Sequence, residues 1–121
     1  MPNTTILVVD DSLIVRKVLT KALEKDGYDV VAFASGEDAL EYTRTETPVC
    51  IILDLHMKGL SGYEVLEHLA DKGSQIPVIV LSADWQEGSR KKVEALGAKG
   101  FLNKPLDNSE LKKAIEHALN P

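Results

Sequence analysis

The chain of 121 residues is sparing with cysteine, with aromatics and with basic charge. Its single cysteine, Cys50, cannot close an internal disulfide, which suits a reducing compartment. Within an apolar run it reads as a small hydrophobe. Lys and Arg number 14 against 19 Asp and Glu, for a formal net charge of −5. A domain this acidic is poorly suited to grip a phosphate backbone, so no direct nucleic-acid contact is expected. No apolar run approaches the roughly 18 residues of a membrane span. The opening MPNTTILVVDD has no basic stretch ahead of a long apolar one, so no secretory signal is read there. The expectation is a cytoplasmic protein with no membrane segment, and its length suits one domain over residues 1–121.

What is present is alternation. Five short apolar runs, Ile6–Val9, Val30–Phe33, Val49–Leu53, Val78–Leu81 and Gly100–Leu102, are separated by longer segments of helical period. β-branched residues dominate most of these runs and none is long enough for a helix, so strands are expected. The segments between them carry helix punctuation. LIVRKVLTKALEKDG stops at Gly27, and Ser35 precedes GEDALEYTRTE as an N-cap. Ser61 and Glu64 have capping-box spacing, as do Asp84 and Glu87, and Asp107 and Glu110. Strict β–α alternation implies a parallel sheet with right-handed crossovers and helices on both faces. Five such units fit an α/β, flavodoxin-like (βα)5 fold with strand order 2-1-3-4-5.

In such a sheet, ligands bind beyond the carboxyl ends of the strands where the order reverses, here between strands 1 and 3. Strand 1 runs into Asp10 and Asp11, and strand 3, VCIIL, runs into Asp54. Three carboxylates at one edge repel unless a cation joins them. Hard oxygen donors without a Cys or His cluster suit Mg2+. Strand 4 ends in Ser82, and strand 5 is followed by Lys104 and Pro105. A carboxylate nucleophile, a divalent cation, a fixed ammonium and a hydroxyl donor are what phosphoryl transfer onto an acid requires, with Asp54 as acceptor.

Together VVDDS, ILDLHM with its following glycine, VLSA and GAKGFLNKP resemble the receiver domain of two-component response regulators, the CheY-like family, over nearly the whole chain. The resemblance implies Asp54 as phosphoacceptor, with Mg2+ held by Asp10, Asp11, Asp54 and the backbone carbonyl of His56. It implies Lys104 on one phosphoryl oxygen and Ser82 as the switch hydroxyl on another. Phe101 is then the aromatic that turns inward with Ser82, and Pro105 follows a cis peptide bond. The implied donor is a sensor histidine kinase or a phosphotransfer protein. The implied output surface is helix 4, strand 5 and helix 5, read by a downstream effector protein or a fused output domain. Catalysis would then be limited to the domain's own phosphorylation and dephosphorylation. Lys58 stands where the family often has proline, and His56 and Asp84 occupy variable positions that, by resemblance, tune loss of the phosphoryl group.

Other readings fit less of the chain. A phosphatase of the haloacid dehalogenase type needs an acid two residues after its nucleophile, where His56 stands. A nucleotide-binding protein wants a Gly-rich turn after strand 1, where DDSLIV stands. A receiver-like interaction module that does not use phosphorylation usually lacks one of the acids or the lysine, and all are present; it is kept as the alternative. Asp11 as N-cap of helix 1 is compatible with metal binding. Core packing alone also explains Phe101, a solvated helix face explains Arg90-Lys91-Lys92, and Trp85 is assigned to packing or output without preference. Leu13, Ile14 and Val15 are consecutive, and one buried stripe cannot hide all three. Apolar surface is therefore expected beside Asp10 and Asp11, docking the phosphodonor through Val15, Val18 and Leu106.

Overall fold

The computed structural model describes residues 4–83 and 87–120; the cap expected at Asp84, and Trp85, lie outside the described residues. The elements alternate strictly: β1 (Thr5–Val9), α1 (Leu13–Lys25), β2 (Asp29–Phe33), α2 (Gly36–Thr43), β3 (Cys50–Asp54), α3 (Gly62–Asp71), β4 (Val78–Ser82), α4 (Glu87–Ala95), β5 (Gly100–Asn103) and α5 (Asn108–Leu119). Every strand pair is parallel and the order is β2-β1-β3-β4-β5, the flavodoxin-like arrangement that the alternation implied.

Burial explains which runs became which strands. β3 and β4 are buried at every position, as continuous apolar runs with both faces covered must be, whereas β2 at the sheet edge is only partly buried. Side chains alternate between the faces. Leu7, Val9, Ile51, Leu53 and Val80 meet α2, α3 and α4 through Ala39, Val65, Leu66, Leu69 and Val93. Ile6, Val8, Cys50, Ile52, Ile79 and Leu81 meet α1 and α5 through Leu19, Leu23, Leu111 and Ile115.

The helix starts follow their caps. Ser35 Oγ accepts from the Asp38 N–H at 3.2 Å, and Ser61 with Glu64 closes a reciprocal box at 3.2 and 3.1 Å. Asp107 Oδ1 accepts from the N–H groups of Ser109 and Glu110 at 2.8 and 3.3 Å. Helix α1 decides between the two readings of Asp11. Its cap is Ser12, whose hydroxyl accepts from Val15 N–H at 3.3 Å, so Asp11 lies outside the helix with its carboxylate uncommitted to capping. Gly27, at φ 92°, takes the left-handed backbone after α1, as its position as a stop required. Helix α2 ends at Thr43, short of the expected Glu46, where Thr45 N–H turns back to the Tyr42 carbonyl. Three strands run one residue past their apolar runs, into Asp54, Ser82 and Asn103, and β3 begins at Cys50 instead of Val49. Apolarity marks where a strand is greasy, while pairing continues: Asp54 lies opposite Leu81, and Ser82 opposite Asn103.

Candidate functional site

Register brings the acids together. Val9 lies opposite Leu53 in the β1–β3 ladder, so Asp10 and Asp54, one residue on, emerge side by side. One carboxylate oxygen from each of Asp10, Asp11 and Asp54 lies within 4.8 Å of the others. Asp10 and Asp54 are 1% and 4% exposed, while Asp11 faces water. Lys104 reaches in from just beyond β5, with Nζ 3.0 Å from Asp10 Oδ2 and 3.5 Å from Asp54 Oδ1. The Lys104–Pro105 peptide bond is cis, and the Lys104 N–H donates to the Ser82 carbonyl at 2.8 Å. Ser82 itself is fully buried at the end of β4.

The charges do not balance. Burial first, and then the neighbouring Asp10 charge, push the Asp54 carboxyl above its ordinary value; the Lys104 ammonium and the His56 N–H pull back without cancelling this. Burial pulls the Lys104 ammonium down, but the hydrogen bond and charge of Asp10 and Asp54 outweigh it, leaving its pKa raised. Among the described residues, one ammonium therefore lies against the two buried acids. Asp10 Oδ1 accepts from the Ser12 N–H at 2.9 Å. Its Oδ2 is buried, with the Lys104 ammonium 3.0 Å away as its partner. An all-oxygen set of two buried acids and one water-facing acid fits Mg2+, which keeps several waters and takes few carboxylates.

The other residues singled out in the sequence fall around this centre. His56 is exposed, its ring meeting Tyr63 edge-on at 6.3 Å between centroids, and no imidazole joins the convergent oxygens among the described residues. Phe101 is half-buried opposite Val80 and packs on the α2–α3–α4 side. Pro105 is exposed, and Leu106 is half-buried against the α1–α5 side. The apolar triplet of α1 splits as its length demanded: Val15 turns half inward, whereas Leu13, Ile14 and Val18 are 56%, 75% and 48% exposed. Arg90 pairs with Glu94 at 3.3 Å with both exposed, the geometry of a solvated face, while Lys92 Nζ lies 4.3 Å over the Tyr63 ring.

Three contacts escaped sequence reasoning. Arg16 donates to the Asp10 carbonyl at 2.8 Å, and the Lys58 N–H donates to Asp11 Oδ2 at 3.4 Å. Gly62, the first residue of α3, lies so close to the tip of β3 that a Cβ would sit 2.7 Å from Leu55 Cα. A glycine directly after the Ser61 cap was the one available signal; backbone groups as partners leave none.

The sequence matches the family described as response regulator receiver domain over residues 6–116. A probable transcriptional regulator ycf27 of Porphyridium aerugineum is 38% identical over 98% of this chain and 49% of its own. Protein PilH of Pseudomonas aeruginosa is 35% identical over 94% of this chain and 96% of its own. The chain spans about half the length of the transcriptional regulators it matches. A solved structure of Vibrio cholerae chemotaxis protein CheY4 superposes with a TM-score of 0.91 at 27% identity, covering 98% of this chain and 100% of that one. Matched along nearly its whole length and folded in the same strand order, the chain belongs to the response regulator receiver domain family.

Proposed function

We propose that Asp54 accepts a phosphoryl group from a phosphohistidine of a sensor histidine kinase or a phosphotransfer protein. The observation that carries this reading is the convergence of Asp10, Asp11 and Asp54 within 4.8 Å, with Lys104 Nζ against both Asp10 and Asp54. In the transfer, a carboxylate oxygen of Asp54 forms its bond to phosphorus as the phosphorus–nitrogen bond of the donor breaks, and the electron pair leaves with the imidazole. Lys104 faces the charge on one phosphoryl oxygen and the Ser82 hydroxyl donates to another. Mg2+, which Asp10, Asp11, Asp54 and the backbone carbonyl of His56 would hold, supplies charge neutralisation at an edge that otherwise repels an anionic donor.

The new phosphoryl charge and its acceptor oxygens draw Ser82 in, and Phe101 turns into the space released. Ser82, Phe101 and Pro105 thus form the switch, and the surface of α4, β5 and α5 carries the change to a downstream effector protein or a fused output domain. The donor docks on α1 and the loop after β5, at Val15, Val18 and Leu106, joined by the exposed Leu13 and Ile14. Residues 1–121 act as one receiver domain in the cytoplasm, whose chemistry is confined to its own phosphorylation and dephosphorylation.

Acetyl phosphate with Mg2+ should add one phosphoryl mass per chain, absent in Asp54→Asn; an Asp54 that stays unmodified overturns the reading. Val18→Glu should slow transfer from the cognate kinase while acetyl phosphate still labels normally. Equal loss with both donors would reject the docking face.

A further inference from the structure

Asp11 is the exposed member of the trio, and an exposed carboxylate loses rotamer freedom when it is made to point one way. What restrains it comes from the loop after β3, where the backbone N–H of Lys58 donates to Asp11 Oδ2 at 3.4 Å across 47 residues of sequence. That loop is itself fastened. Leu55 and Met57 are buried in the core on the α2–α3–α4 side, and the Gly62 N–H donates to the Leu55 carbonyl at 2.9 Å. The N–H of Lys58 is thus presented by anchored backbone although its side chain is exposed. Asp10 shows the same arrangement, its Oδ1 held by the Ser12 N–H at 2.9 Å. Each of the two acids contributed by the β1 end therefore has a main-chain N–H on one carboxylate oxygen.

We propose that Lys58 is a positioning residue of the metal site, acting through its backbone N–H and not through its ammonium. The inference rests on the reading of Asp10, Asp11 and Asp54 as a Mg2+ site. Mg2+ demands near-ideal octahedral geometry, so the orientations open to Asp11 set part of the binding free energy. Outer partners that orient a ligating carboxylate are worth about 10- to 100-fold in metal affinity. A bond of 3.4 Å is long for an N–H donor, which places the expected loss at the lower end, about 10-fold.

Lys58→Pro removes the N–H, while Lys58→Ala keeps it and removes only the charge. Calorimetric titration with Mg2+ should show Lys58→Pro binding about 10-fold more weakly than the wild type and Lys58→Ala binding at least as tightly as the wild type. Equal weakening in both variants, or in neither, rejects the role of the N–H. Asp11→Asn separates this from failure of the metal site itself: a wild type that takes up no Mg2+, or an Asp11→Asn that binds as tightly, overturns the site and the inference with it. A second measurement is independent of how the proline variant folds. Amide hydrogen exchange at Lys58, followed by NMR without Mg2+, should be faster in Asp11→Ala than in the wild type, and an unchanged rate overturns the proposal.

Discussion

The middles of β1, β3 and β4 and their carboxyl tips are equally buried and chemically opposite. Val9, Leu53 and Leu81 are apolar and closed off from water; one residue further, Asp10, Asp54 and Ser82 are just as closed off and polar or charged. Removing apolar surface from water in the middles stabilises the fold by about 25 cal/mol per Å2. Burying two carboxylates against one ammonium at the tips works against it. The difference teaches that burial is not itself a measure of stability here. The rigid apolar middle holds acids where they would not otherwise stay.

The comparison can be broken by substitution, and the largest effect belongs to the middle. Ile52→Ala, in fully buried β3, should cost about 2–5 kcal/mol in urea unfolding. A loss below about 1 kcal/mol would mean that the strand middle is not the source of stability. Next is Gly62→Ala, whose added Cβ meets backbone at Leu55 and should cost about 1–3 kcal/mol while lowering the rate of Asp54 labelling by acetyl phosphate. Wild-type stability in this variant would show that the tip yields easily. Ser12→Ala should cost about 1 kcal/mol through loss of the α1 cap. Mg2+ uptake should persist in it, because the Ser12 N–H still holds Asp10.

The smallest effect has the opposite sign. The folded-state pKa of Asp54 is raised, so its favourable contribution is complete below the ordinary value of 3.8 and is lost as pH rises through the raised value. Asp54→Asn removes that loss. Without Mg2+ the variant should melt above the wild type at pH 7, and the gain should shrink as pH falls back through the raised pKa. A variant that melts lower at pH 7 would erase the contrast between middle and tip.

Much of this was legible in the residues. VCIIL announced a strand covered on both faces, Ser35 and Ser61 announced helix starts, and DD, Asp54, Ser82 and Lys104 each fell at a strand end. The failures share a cause. Asp11 and Ser12 are both good caps by type, and only the path of the chain gave the cap to Ser12 and left Asp11 to the trio. Leu55 and Met57 follow the strand in a loop, and both are buried there, which no pattern in the residues announces. The loop lies against α3, whose first residue, Gly62, has no side chain to hold it off. Val15 turned half inward because its neighbours on α1 took the solvent side.

Period, caps and the order of apolar runs are local properties, and from them the residues alone determined five βα units and which side chains stand at the strand ends. Tertiary structure decided the rest. That Asp10 meets Asp54, that Lys104 arrives from far along the chain to lie against both, and that Asp54 holds its proton more tightly than a free aspartate all depend on distance and exclusion of water. Those quantities exist only once strands remote in the chain are paired in register.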